Sequence, residues 1–351
     1  MGYEQNVRRV VPYTPGEQPK NKNIVKLNTN ENPYPPAPGV EKVFKELDVN
    51  RLRLYPDPTV NDLVKAIADY HGVNSEQVFV GVGSDDVIAM SFLTFFNSDR
   101  PILFPDITYS FYDVWADLYK IPYKTCPLNE EFEIVADDYK IPNGGIIIAN
   151  PNAPTGVLQP VSVIEELLDS NPDVVVMVDE AYIDFGGETC IPLLDKYENL
   201  LVIRTFSKSR SLAGLRIGYA VGSTKMIKFL NDVKFSYNSY TMNYPTICMG
   251  VESVKDDDYF IAMRDKLILT RERSKEMLKR LGFSFKDSMA NFIFATHESV
   301  NAKEIFNELK KHDIYVRYFN KPRIDNYLRI SIGTDEEMDK LFVALGEILG
   351  Q

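Results

Sequence analysis

Six short apolar runs, separated by longer stretches of helical periodicity, dominate the first two thirds of the chain. They are QVFVGVG (77–83), PILFPD (101–106), GIIIAN (145–150), DVVVMVDEAY (173–182), NLLVIRTF (199–206) and IGYAVG (217–222). Runs this continuous suit strands buried on both faces, whereas a sheet with one wet face would alternate. Segments such as DPTVNDLVKAIADYHG (57–72) carry the 3.6-residue spacing of helices between them. Strand and helix in alternation predict an α/β fold whose large, mostly parallel sheet is covered by helices.

The pattern changes near residue 255. DDDYFIAMRDKLILTRERSKEMLKRLG (256–282) predicts one long charged amphipathic helix with Gly282 at its C-terminal cap. NFIFATH, NAKEIFNELKKH, IYVRYF and YLRISIG follow, then a last helix opened by Thr334 with Glu337 three residues on, a capping box. Strand, helix, two strands and helix predict a smaller α+β domain. Residues 1–40, rich in Pro and Asn, lack periodicity and are expected to form an arm belonging to that small domain. The expected division is therefore arm 1–40, large domain 41–255 and small domain 256–351.

Composition narrows the function. At 351 residues with 44% hydrophobic content the chain can bury a large core. A net charge of −11 argues against nucleic-acid binding, which needs a dominant basic surface. Three dispersed cysteines, Cys126, Cys190 and Cys248, fit reduced thiols in the cytoplasm. No stretch is long and apolar enough for a membrane span, so no membrane association is expected. His71, His297 and His312 lack neighbours at metal-ligand spacing, and no GxSxG elbow is present, so neither a metal site nor a serine hydrolase is expected.

Ligands of open α/β sheets bind beyond the carboxyl ends of the strands, which makes the residues after each apolar run the candidates. GVGSDD (81–86) lacks the third glycine of a dinucleotide fingerprint and suits a strand-to-helix turn whose free amides face one phosphate. Asp179 ends an apolar run, so its carboxylate needs a partner, which a salt bridge or a ligand cation would equally provide. Tyr182, three residues on, can reach the same ligand. Lys208 lies among Ser207, Ser209 and Ser211, with Arg216 eight residues later. A lysine nucleophile must shed its proton, which a second cation nearby favours, and Arg216 can serve while also clamping a phosphate. Phosphate turn, acid, phenol and lysine together point to pyridoxal 5'-phosphate.

TFSKSRSLAGLRIGY (205–219) resembles the lysine motif of the fold-type I, class I/II aminotransferases. KLNTNENPYPPAP (26–38), RLYPDP (53–58) and YLRISIGT (327–334) are similar, more narrowly, to histidinol-phosphate aminotransferases. The resemblance implies that Lys208 holds pyridoxal phosphate covalently and shuttles the proton, that Asp179 pairs with the ring nitrogen, and that Tyr182 bonds the ring oxygen. It implies Ser84, Asp85, Ser207 and Arg216 as phosphate ligands and Tyr109 as the stacking ring. Tyr55 would reach the cofactor of a second subunit, which implies a homodimer. NPNAPTG (150–156) departs from the usual NPNNPTG, with Ala153 in place of the second asparagine, so Asn152 or Tyr182 alone must serve the ring oxygen. Tyr13, Arg317 and Arg329 match residues that bind the substrate phosphate and carboxylate, with histidinol phosphate as donor, 2-oxoglutarate as acceptor and glutamate as product. An aromatic amino-acid aminotransferase or threonine-phosphate decarboxylase would share this cofactor set. A dehydrogenase would leave Lys208, Asp179 and Arg216 unexplained, and a cofactor-binding regulatory module lacks a basic helix-turn-helix.

Overall fold

The computed structural model describes residues 2–19 and 23–351. Met1 and residues 20–22 of the expected arm lie outside that range. In chain order the first half holds β1 (Val25–Lys26), α1 (Pro38–Glu46), α2 (Asn61–His71), β2 (Val78–Gly81), α3 (Ser84–Phe95), β3 (Ile102–Pro105), α4 (Tyr112–Tyr119), β4 (Tyr123–Cys126), β5 (Gly145–Ala149) and α5 (Val161–Ser170). Then come β6 (Val176–Asp179), β7 (Leu200–Thr205), β8 (Gly218–Gly222), α6 (Thr224–Tyr237), α7 (Tyr244–Lys255) and α8 (Asp257–Arg280). The chain closes with β9 (Phe283–Phe285), β10 (Phe292–His297), α9 (Ala302–Lys311), β11 (Ile314–Tyr315), β12 (Arg317–Tyr318), β13 (Leu328–Ser331) and α10 (Asp335–Leu349).

Seven strands form the large sheet in the order β2-β8-β7-β6-β5-β3-β4. The six apolar runs are six of these strands. Their residues from Ile146 to Ile148 and from Leu200 to Ile203 are fully buried, because separate apolar clusters cover the two faces. The seventh strand, β4, escaped the apolar pattern: it is an edge strand, Tyr123 is 39% exposed and only Cys126 is buried. β8 alone runs antiparallel to its neighbours β2 and β7. That reversal matters for the site, since the segment entering β8 meets the segments leaving β2, β6 and β7.

The smaller sheet has the order β12-β13-β10-β9, all antiparallel, and packs with α8, α9 and α10 around Leu267, Phe292, Ile330 and Leu341. Two expectations are corrected here. The arm is not without regular structure: Val25–Lys26 pair in parallel with Ile314–Tyr315, a 3-10 turn covers Tyr3–Asn6, and α1 spans residue 40. IYVRYF is not one strand, because it breaks at the buried Val316, giving β11 to the arm and β12 to the sheet. The Thr334–Glu337 capping box forms with both reciprocal bonds, and Gly282 takes the left-handed φ of +80° just beyond α8.

Candidate active site

A cavity of about 370 Å³ opens at the carboxyl edge of the large sheet, lined by Ser84, Asp85, Tyr109, Ala153, Asp179, Tyr182, Ser207, Lys208 and Arg216 together with Thr29 and Glu31 of the arm. Each strand delivers its residue for a local reason. Gly83 caps α3 with φ of +86° and brings no side-chain oxygen, so the amides of the first turn stay uncapped and polarised by the helix. Arg216 sits against this turn, its Nη2 3.1 Å from Asp85 Oδ2, and a Cβ at Gly83 would stand 2.4 Å from that same Nη2. The glycine is what admits the guanidinium.

Gly218 faces Gly81 across the β8–β2 pair, and a Cβ there would lie 2.2 Å from the Ser84 amide nitrogen. Backbone cannot swing aside as a long side chain can. Gly218→Ala is therefore expected to cost about 1–3 kcal/mol of stability in chemical denaturation, through overpacking of the α3 N-terminus.

Asp179 closes β6 and is 5% exposed. Among the described residues its donors are both neutral, the Tyr112 hydroxyl at 3.0 Å and the Ala181 amide at 3.1 Å. Burial pushes its carboxyl up to about 6. A buried carboxylate facing a cavity without its own cation is matched to a ligand that brings one. Tyr182 accepts a hydrogen bond from Asn30 Nδ2 at 2.9 Å, which leaves its own hydroxyl proton free to donate. Lys208 is half-buried, its Nζ donating to the Thr29 carbonyl at 3.3 Å and lying 5.6 Å from the Tyr182 ring centre. Ser207 Oγ accepts from Thr205, again with its proton free. Tyr109 forms a side wall, fixed by donation to Asp85 Oδ1 at 2.8 Å.

These residues fit pyridoxal phosphate on their own chemistry. An uncapped helix start with a guanidinium suits the phosphate, a buried carboxylate suits a protonated ring nitrogen, and a lysine stands between them beside a phenol donor.

Asn152 does not join the set. Its side chain is spent on the Ile107 carbonyl, Thr155 and Thr108 at 2.8–3.0 Å, stapling its loop to the segment that carries Tyr109. Ala153 faces the cavity in its stead. Tyr55 also lies outside, 82% exposed and packed against Tyr240. Arg329, Arg317 and Tyr13 do not line the cavity but gather at its rim. Arg329 donates to the Asn28 carbonyl at 3.0 Å, next to Thr29, while its buried Nε has no partner among the described residues. Arg317 stands directly opposite it in the β12–β13 pair and reaches the Thr14 and Pro15 carbonyls at 3.4 and 3.5 Å. Tyr13 stacks on Phe111 with ring centres 4.1 Å apart.

Sequence reasoning missed two supports. Asn30, with φ of +56°, receives Ser331 and donates to Tyr182, tying the small sheet to the site. Glu180, Asp184 and Arg204 form a buried ion cluster behind it, and Ser209, whose role the sequence left open, donates to Asp184 at 2.5 Å. The alternation of 179 with 180 and 208 with 209 was the available signal: one member of each pair faces the cavity and the other faces the cluster.

A family model described as aminotransferase class I and II matches residues 22–345. The curated histidinol-phosphate aminotransferase of Clostridium botulinum (strain Okra) is 50% identical over 350 residues, 99% of each chain. That of Lactococcus lactis subsp. lactis is 51% identical over 342 residues, 97% of this chain and 95% of its own. Two solved structures share the fold at 23% identity. The histidinol-phosphate aminotransferase of Clostridium acetobutylicum superposes with a TM-score of 0.86 over 93% of this chain and 99% of its own. That of Sinorhizobium meliloti, in complex with pyridoxal-5'-phosphate, gives 0.84 over 93% and 91%. The chain belongs to the class I and II aminotransferase family and is a pyridoxal-phosphate-dependent enzyme.

Proposed function

We propose that this enzyme transfers the amino group of histidinol phosphate to 2-oxoglutarate, releasing imidazole-acetol phosphate and glutamate, as a cytoplasmic homodimer in histidine biosynthesis. The observation that carries the substrate class is Arg329, a half-buried arginine whose buried Nε has no partner among the described residues and which has a second arginine directly opposite. Two cations at one rim suit donors and acceptors that each bring an anionic group away from the reacting carbon. The two curated relatives with about 50% identity over nearly the whole chain bear that same activity in their names.

Pyridoxal phosphate, when bound, supplies an aldehyde for amines and a ring that draws electrons from the substrate's alpha carbon. The chain's residues would divide the remaining work. The first-turn amides at Ser84 and Asp85, Ser207 Oγ and Arg216 hold the phosphate. Asp179 would keep the ring nitrogen protonated, Tyr182 would donate to the ring oxygen, and Tyr109 would stack on the ring. Lys208 Nζ would anchor the cofactor and, once freed by the incoming amine, would accept and redeliver the proton of the substrate's alpha carbon. Arg329 and Arg317, with Tyr13, orient the substrate's anionic end, and Tyr55 of a second copy completes the phosphate site.

A panel of donors tests the reading. The kcat/KM with histidinol phosphate is expected to exceed that with phenylalanine or tyrosine by roughly 100-fold or more, since their side chains bring no anion and leave a phosphate donor unpaired. Faster turnover of an aromatic amino acid would replace the donor; release of CO2 from threonine phosphate would replace the reaction.

A further inference from the structure

Tyr112 is wholly buried at the start of α4 and does not line the cavity, yet it touches two of the residues that do. Its hydroxyl donates to Asp179 Oδ2 at 3.0 Å, and its ring packs edge-on against Tyr109 with centres 5.7 Å apart. Phe104 backs the same ring at 5.9 Å. Tyr109 is fixed at its other end by Asp85, which also receives Arg216. One side chain thus links the Asp179 carboxylate to the aromatic wall at Tyr109.

We propose that Tyr112 is a positioning residue for the cofactor, its hydroxyl aiming the Asp179 carboxylate while its ring sets the plane of Tyr109. The proposal rests on the reading of Asp179 as the partner of the ring nitrogen. The groups facing Asp179 explain why the hydroxyl matters. Burial drives the carboxyl toward its neutral form, and the charges of Asp85 from α3 and Glu180 beside it push the same way. Against these, among the described residues, stand two donors, Tyr112 from α4 and the Ala181 amide. Burial and the adjacent carboxylate also hold the Tyr112 phenol well above its ordinary range, so it remains a donor at every working pH. Without the hydroxyl, Asp179 takes up a proton at higher pH, and a protonated ring nitrogen then meets a neutral acid rather than a carboxylate.

The chain's single tryptophan, Trp115, lies 6.2 Å from the Tyr109 ring centre and reports cofactor binding by fluorescence. Stripped enzyme is titrated with pyridoxal phosphate between pH 5.5 and 8 in four forms: parent, Tyr112→Phe, Asp179→Asn and the double variant. Tyr112→Phe is expected to raise Kd about tenfold at pH 6.5, the loss of one hydrogen bond to a charged acceptor, and to move the acid limb of binding upward. On the Asp179→Asn background the same change should alter Kd less than about twofold, because the group it acts through is gone. An unchanged Kd and acid limb in Tyr112→Phe would overturn the proposal, as would an equal loss on both backgrounds, the mark of a merely structural tyrosine. If Asp179→Asn itself leaves Kd unaltered, the assignment of Asp179 fails instead.

Discussion

Lys208→Ala is expected to lose the absorbance of lysine-bound cofactor and to lower kcat by about 10⁴-fold or more, because one amine serves as both covalent anchor and proton carrier. The fold should be indifferent to the change. Lys208 Nζ makes a single long hydrogen bond, to the Thr29 carbonyl at 3.3 Å, and ion-pairs with no acid among the described residues. Its loop is held by other atoms: Asn32 Nδ2 donates to the carbonyls of Lys208 and Ser209 at 3.0 and 3.2 Å, and Ser209 is tied to Asp184. Equal unfolding midpoints for parent and variant, with activity gone, would separate chemistry from stability. Normal turnover, or a band still trapped by borohydride, would remove Lys208 from the mechanism.

Arg329→Met should produce the second largest effect, concentrated in substrate binding. The side chain is half-buried, its Nε is buried with no partner among the described residues, and the guanidinium lies 5.4 and 5.5 Å from the Phe292 and Phe319 ring centres, facing Arg317 across the strand pair. Burial, with Arg317 adding to it, lowers its pKa. Such a charge gains most when an anion arrives, and truncating one side of a buried charge pair typically costs 2–5 kcal/mol or more. The kcat/KM for histidinol phosphate is therefore expected to fall about 100-fold or more, chiefly through KM, while the Kd for the cofactor holds. Removing a half-buried charge with no acid against it should leave the thermal midpoint unchanged or raise it slightly. Arg329→Lys should recover little, since an ammonium lacks the planar fork. Arg317→Met should cost only several-fold, because that side chain is half-exposed and already engaged by the arm. An unaltered KM in Arg329→Met would move anion recognition elsewhere.

The apolar runs made the central strands legible because strands covered on both faces can tolerate little else. β4 and β9 were invisible for the opposite reason, being short edge strands with exposed positions, and β1 exists only because Ile314–Tyr315 offer it a partner. The lysine motif and the strand-end acid likewise stood out locally. Asn152 illustrates the limit: its type and place in NPNAPTG suit a ligand contact, but the loop folds so that Thr108, Thr155 and the Ile107 carbonyl consume its side chain. Asn30 and Tyr112 show the converse. Their neighbours in the chain assign them no role, and those roles come from Tyr182 and Asp179, which are 152 and 67 positions away.

By itself, the sequence determined the α/β class, the core strands, and the residue types at the strand ends: Asp179, Tyr182, Lys208, Arg216 and the glycine turn before Ser84. Periodicity and local turn chemistry act over a few residues, and those features are written at that range. Tertiary structure decided which of them meet. The reversal of β8 brings Arg216 to the edge where β2 and β7 end, the ion cluster turns Ser209 inward and leaves Lys208 facing the cavity, and Tyr112 links Asp179 to the wall at Tyr109. Such contacts join segments far apart in the chain, so their energies depend on the packed arrangement and leave no local mark in the sequence.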